Sequence, residues 1–528
     1  MSPFNSYTLM APEIILTLVA VILLLVAVFT GSPNSRVNRA VPLLTVLGLG
    51  AALASVVWLA TSCAAVGQDV DHGGHLRVDM LSLLFKGIAI TATMVVVAMA
   101  FEYSRRFSSP GEFYGLIVFT TLAVSLLCSA ADLVTIYLSM EFLSITSYAM
   151  AGYYRENARS NEAALKYFLY GALNSALMLY GISLLYGLSA TGMPGSVAST
   201  NLSTVIRAVC SQPPTPLLLA AVVFVLSGFL FKVSAVPFHQ WAPDTYEGAP
   251  TPFTAFLSVA SKIGGLAVLV RVVASVFLVP NLATGDYTLA SLTAMLIAIV
   301  AGLSMVVGNV VAMHQRDIKR MLAYSGIGQV GYMLVAVAAM TGGNSDKGLQ
   351  ALLIYAVTYL FMNLGAFGVV TAINNRLNSS DLDDYAGLAQ RNLPLASAMA
   401  VFMLSLAGIP PMAGWFGKYY IFFAAIDPSL HGVFSGGAWN ATDILALVLV
   451  VNSVIAAYYY LNVIKRMFFD EPQVTTAVPV GRTLRAGIVA SMAITLFLGA
   501  LPLWLYSVVT QNATFRPDEA KPAISQRK

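Results

Sequence analysis

Apolar runs of roughly 20 residues recur from one end of this chain to the other, with only short polar or Pro/Gly-rich breaks between them. Within a bilayer every backbone N–H and C=O must find its partner inside the protein, so runs of this kind fold as membrane-spanning helices. Divided at the breaks, the 528 residues give about fourteen spans. They fall at 8–29, 41–62, 79–101, 113–129, 132–151, 163–190, 216–241, 252–279, 288–312, 320–341, 349–373, 393–425, 442–468 and 484–510. The closest junction, at Ser129–Asp132, is where two spans are most easily merged. Only 10% of residues are charged, against the roughly 25% of a soluble chain, so the reading is an all-α polytopic membrane protein. The first run lacks a basic leader and a small-residue cleavage site, and reads as a span, not a removed signal peptide.

Lys and Arg placement supports the count. With the N-terminus outside, inward loops hold 15 of the 28 basic residues, while outward loops and the tail hold 7. Fourteen helices with both ends on the outer side satisfy this asymmetry, and thirteen scramble it. The polar connections 192–216 and 374–393 are too short for a soluble domain, and the segment from Gln511 reads as a polar tail.

The other six basic residues, Lys86, Lys166, Lys232, Lys262, Arg271 and Lys418, fall inside spans. Lys86 and Arg271 lie within about two turns of helix ends, from which a long side chain reaches the interface. Lys166 follows Glu162 by four residues, a favourable order for a helical ion pair, and a structural pair and a proton-entry role both fit it. Lys232 in FLFKVSAVPFHQW, Lys262 in TAFLSVASKIGGLAVLV and Lys418 after GIPPMAGWFG sit too deep to reach water easily. A lysine at a helix centre costs about 2.5–3.5 kcal/mol on insertion scales, so such residues are kept for a function or paired. One carboxylate, Glu141 in LVTIYLSMEFLSITSYAM, matches them in depth. A desolvated lysine loses preference for its charged form and an approaching carboxylate restores it, which makes the combination a switchable proton site.

Helix breaks accompany two of these lysines. Pro237 removes a backbone donor beyond Lys232, and Gly408-Ile409-Pro410-Pro411 precedes Lys418. Freed carbonyls inside a membrane need protein or water, so each break predicts a local cavity of the sort transporters use. The broken spans are the seventh and the twelfth. Five helices apart, they suggest two inverted five-helix repeats. The resulting division is 1–112 (three N-terminal helices), 113–280 (helices 4–8), 281–470 (helices 9–13) and 471–528 (last helix and tail). His239 suits either a relay between Lys232 and Lys262 or a structural bond at the bend. His314 reads as a loop residue, and His72 and His75 as a solvated loop. Cys63, Cys128 and Cys210 form no CxxC pair, and there is no Walker A loop or GxGxxG fingerprint, so neither a metal cluster nor nucleotide chemistry is drawn here.

Several long stretches then resemble a known family in order. They are SNEAALKYFLYGALNSALMLYGISLLYG, FKVSAVPFHQWAPDTYEGAPTPFTAFLSVASK, KRMLAYSGIGQVGYM, DLDDYAGLA and LSLAGIPPMAGWFGKYYIF, covering most of residues 130–425. They resemble the antiporter-like membrane subunits of respiratory complex I, and most closely the subunit N (ND2-type) branch in bacterial NADH:quinone oxidoreductase. The resemblance implies a proton-translocating membrane-arm subunit in the bacterial inner membrane. It places NADH, FMN, Fe–S clusters and quinone on partner subunits, with no cofactor on this chain. The implied partners are neighbouring antiporter-like and small membrane subunits and the bilayer, not nucleic acid. Carried over by position, Glu141 and Lys232 correspond to a coupled ion pair, Lys262 to a central relay and Lys418 to a terminal one. His239, Glu112, Glu162 and Lys166 correspond to secondary positions on the proton path. Three other readings stand beside it: an Mrp-type cation/proton antiporter subunit of the same fold, a scaffold that moves no protons, and a photosynthetic relative of complex I fed by ferredoxin instead of NADH. The full Glu–Lys–Lys–Lys set argues against the scaffold.

Overall fold

The computed structural model describes residues 6–29, 36–62, 68–69, 74–107, 109–191, 197–278, 288–340, 345–426, 441–472 and 477–512. The expected tail beyond 512, His72 and Cys63 lie outside the described residues. Among those described, thirteen helices are long and apolar enough to cross a membrane. The twelfth expected span is present in two pieces, Leu393–Ala407 and Ala413–Ala425. Described β structure is confined to a two-residue pairing of Gln68–Asp69 with Arg77–Val78 and three isolated bridges.

Local chemistry sets the helix ends. Asp79 caps Met80–Tyr103, its carboxylate accepting from Ser82 N at 2.7 Å while Ser82 Oγ accepts from Asp79 N at 3.1 Å. Asp132 caps Leu133–Ala151 by accepting from Val134 N and Thr135 N, which keeps the close junction after Ser129 a true boundary between two spans. Asn157 likewise starts Ala158–Ser189, five residues before the expected span, because the polar first turn continues the helix beyond its apolar part. The last expected span, 484–510, is divided: Arg482–Ala500 ends and Pro502 opens a second helix, Pro502–Asn512, since proline suits a first helical turn and not an interior one.

Burial separates core from periphery. The window of Thr251–Val276 is 100% buried and that of Ile318–Ala338 94%, whereas Ala40–Thr61 and Ala158–Ser189 are 28% buried. Met80–Tyr103 packs against Thr251–Val276 and Ser345–Leu377, and Ile318–Ala338 packs against Ser345–Leu377. Ala158–Ser189 presents Leu165, Leu169 and Leu173 outward at helical spacing, an apolar face suited to lipid or a neighbouring membrane subunit.

Two ion pairs correct the expectation that Lys86 and Arg271 reach the interface. Lys86 is buried, with Nζ 2.7 Å from Glu13 Oε1, and Ser125 Oγ donates to the same oxygen at 2.6 Å. Arg271 makes a bidentate pair with Asp79, at 2.7 and 2.9 Å, and donates to Cys128 O at 3.0 Å. Their partners come from distant helices, and a paired buried cation has no need to reach water. Burial pushes the Asp79 carboxyl up, but the Arg271 guanidinium outweighs it and holds the group below its ordinary value.

Candidate functional site

Lys232 occupies the last turn of Pro216–Val233 and is fully buried. Its Nζ donates to Ser144 Oγ at 3.2 Å and to Tyr167 OH at 3.3 Å, and Tyr167 stacks on Trp241 with ring centroids 4.2 Å apart. Ser144 lies one turn along Leu133–Ala151 from Glu141, which is half-buried and accepts from Ser175 Oγ. Lys232 therefore meets the Glu141 helix through Ser144, without a direct ion pair. Gly265 permits the approach of the next span: a Cβ there would stand 2.9 Å from Val233 Cγ1 and 3.3 Å from Lys232 Cβ.

The chain leaves the helix at Ser234, where φ is 63°, and resumes at Trp241. The freed groups take protein partners. Trp241 Nε1 donates to Phe231 O at 3.0 Å, Ala235 N to Leu230 O at 2.9 Å, and Val236 N to Ser304 Oγ at 2.9 Å. His239 sits inside this break, and its Nδ1 is buried without a hydrogen-bond partner among the described residues.

Lys262 directly follows a π-helical turn, Leu257–Ser261, a device that re-aims side chains and occurs often at functional sites. It is 2% exposed, and its Nζ has no hydrogen-bond partner among the described residues; Ser261 Oγ and Tyr359 OH share that condition. Gly326 closes the space: a Cβ there would lie 2.8 Å from Lys262 Nζ and 3.3 Å from Tyr359 OH. Gly326→Ala should therefore fold, because only a flexible amine has to yield, yet lower turnover of the assembled complex by about tenfold through displacement of that amine. Gly187→Ala, whose added methyl meets nothing within 4 Å, is the matched control. Equal rates for the two variants would refute the assignment of that space to the amine.

The second break is built differently. Leu393–Ala407 ends at Gly408 with φ +84°, a conformation other residues adopt only with strain, and a Cβ there would also lie 3.0 Å from Lys418 Cδ. The carbonyls freed by the break accept from Lys418 Nζ, Leu406 O at 3.1 Å and Ala407 O at 3.0 Å. The amine also stands 4.7 Å from the centroid of the Tyr332 ring. Here the lysine itself satisfies the broken helix. The expected cavities thus take protein groups at both breaks, an indole at one and an ammonium at the other.

Lys166 pairs with both Glu162 and Asp244, each at 2.7 Å. Asp244 also meets Arg320 at 2.6 Å, and Arg320 meets Glu247 at 2.8 Å. Lys319 donates to Glu247 O at 2.6 Å and to Ala249 O at 2.9 Å. Burial pushes the Asp244 carboxyl up, but hydrogen bonds from Lys166 and Arg320 prevail and hold it below its ordinary value. Sequence reasoning passed over Asp244, Glu247 and Arg320, although WAPDTYEG lay within a quoted stretch. Among the described residues Glu112 pairs with Arg155 alone, at 3.4 Å; with the two side chains 37% and 82% exposed, that contact is worth little.

A family model described as NADH:quinone oxidoreductase/Mrp antiporter, TM, matches residues 130–436. An NAD(P)H-quinone oxidoreductase subunit 2 from Rippkaea orientalis is 38% identical over 538 aligned residues, covering 100% of this chain and 97% of the relative. An NADH-quinone oxidoreductase subunit N from Heliobacterium modesticaldum is 43% identical over 441 residues, covering 82% and 85%. A chain of respiratory complex I from Thermus thermophilus, solved with bound aureothin, superposes with a TM-score of 0.74 at 32% identity, covering 94% and 99%. A chain of the Mrp complex from Dietzia superposes at 0.75 with 21% identity, covering 95% and 97%, a likeness of fold alone.

Proposed function

The chain belongs to the NADH:quinone oxidoreductase/Mrp antiporter family, in its subunit N branch of proton-translocating membrane-arm subunits, and on that premise we propose that Glu141, Lys232, Lys262 and Lys418 carry its protons. One observation carries the reading. Three buried lysines in three spans each sit at an irregularity of the helix, before a break, after a π-helical turn and after a break. An ordinary apolar helix has no use for such a combination, and a proton relay needs both parts, a titratable group and adjacent polar backbone.

Glu141 holds the half-buried end of the row and faces a neighbouring membrane subunit. Lys232 takes the proton through Ser144 and Tyr167, Lys262 relays it, and Lys418 ends the row. Lys166, Glu162 and His239 support the path, and Glu112 contributes least. Residues 113–280 and 281–470 act as two inverted units. The complex lies in the bacterial inner membrane with both ends of this chain outside, and its partner subunits carry the electrons from NADH to quinone.

The test is Lys232→Ala in the assembled complex in proteoliposomes, with quinone reduction and lumen acidification followed together. Both should fall by about tenfold or more with assembly intact. Unchanged rate and proton yield would remove Lys232 from the path and leave the scaffold reading standing.

A further inference from the structure

The helix Ile318–Ala338 lies between Lys262 and Lys418 and addresses both. Gly326 receives the Lys262 amine and the Tyr359 hydroxyl, and Tyr332 underlies the Lys418 amine. The same helix carries Ser325, next to Gly326, and one turn on, between Gly326 and Tyr332, Gln329, both buried. Ser325 Oγ shares a hydrogen bond with Tyr460 OH, and Gln329 Nε2 donates to Tyr460 OH at 3.1 Å. Gln329 Oε1 accepts from Tyr355 OH. Gln329 Nε2 also donates, at 3.3 Å, to Leu406 O, the freed carbonyl that accepts from Lys418 at 3.1 Å.

We propose that Gln329 is a positioning residue for proton transfer between Lys262 and Lys418. It holds the Tyr355 and Tyr460 hydroxyls, one at each end of its amide, in a string with Ser325, and shares the Leu406 carbonyl with Lys418. The inference rests on the reading of the lysines as the proton row. A hydroxyl releases its proton to the next acceptor as it receives one from the last, so Tyr460 and Ser325 pass protons without net change. An amide does not exchange protons in this way. It fixes the direction in which each hydroxyl donates, and it registers Lys418 through the acceptor they share. An ammonium makes a charge-assisted bond to Leu406 O in competition with the amide; once the amine gives up a proton its bond there weakens, and the amide has the stronger hold. Proton occupancy of Lys418 is thereby coupled to the alignment of the string that feeds it.

The experiment uses the full complex in proteoliposomes, with lumen acidification recorded from acid to alkaline pH. The variants are Gln329→Met, Gln329→Glu and Tyr460→Phe, with Lys418→Met as reference. Gln329→Met keeps volume and removes every hydrogen bond, and should lower acidification by about tenfold. Gln329→Glu, when protonated, can still donate to Leu406 O and accept from Tyr355. Relative to the parent profile recorded alongside, it should recover acidification on the acid side and lose it on the alkaline side, an added limb that a packing role does not create. Tyr460→Phe should lower acidification without adding that limb. Parent-like acidification and pH profile in assembled Gln329→Met overturn the proposal. If Gln329→Met does not assemble, parent-like profiles in both Gln329→Glu and Tyr460→Phe overturn it. If Lys418→Met abolishes acidification while the Gln329 variants are silent, only the positioning role falls. If Lys418→Met is silent as well, the lysine row falls and this inference with it.

Discussion

Lys262→Met in the reconstituted complex should reduce lumen acidification by about two orders of magnitude while leaving assembly intact. Lys232 has Ser144 and Tyr167, and Lys418 has two carbonyls and an aromatic face, so loss of either amine strands polar groups that had a partner. Lys262 Nζ holds no such partners among the described residues, so the substitution leaves no acceptor behind. Methionine is close in volume and flexible, and it can fill the space the amine leaves beside Gly326. Thermal stability should be unchanged or slightly raised, because a buried amine without partners is itself a cost. The pair of readings is the point: activity lost with stability kept identifies a functional group. Activity kept would exclude Lys262 from the path, and stability lost with activity would make it a structural residue.

The second large effect concerns folding. Asp79→Ala should destabilise the subunit by about 3–5 kcal/mol, because Arg271 would remain buried without its bidentate partner. Loss of the helix cap adds about 1 kcal/mol. The expected result is a subunit that fails to accumulate in the complex, with most of the loss recovered by adding Arg271→Met, which removes the stranded charge. Normal accumulation of the single variant would show that water or lipid phosphate reaches the guanidinium. The pH dependence has a definite sign. The Asp79 carboxyl is held below its ordinary value, so its contribution is fully present above the usual carboxylate range. That contribution is lost only as pH falls through the lower folded value. The pair should therefore stay intact across physiological pH and fail in strong acid.

The architecture was legible because its signals are local. Apolar length marked each span, and proline and glycine marked the breaks at residues 234–240 and 408–412. The deep lysines stood out against their surroundings. What failed to appear depends on packing between distant helices. Arg271 and Asp79 are 192 residues apart, and no spacing rule links them. Glu13 lay in plain view within the first span, yet its meaning needs Lys86 and Ser125 beside it. Whether Glu141 meets Lys232 is open in the sequence; Lys232 donates instead to Ser144, which shares a helix with Glu141 and which a sequence presents as one more small residue. Nor does composition announce that Lys262 follows a π-helical turn.

The short helix Trp241–Gly248 begins where the Lys232 break ends, and its charges are held from two directions. Lys166, on Ala158–Ser189, grips Asp244; Arg320, on Ile318–Ala338, grips both Asp244 and Glu247. Mechanically this is a connecting rod. An eight-residue helix is stiff over its length, so a tilt that reshapes the break beside Lys232 must also pull on the base of Ile318–Ala338, the helix that reaches Lys262 and Lys418. The Lys232 break and the base of Ile318–Ala338 are thus tied to one mechanical element, a strut of two turns.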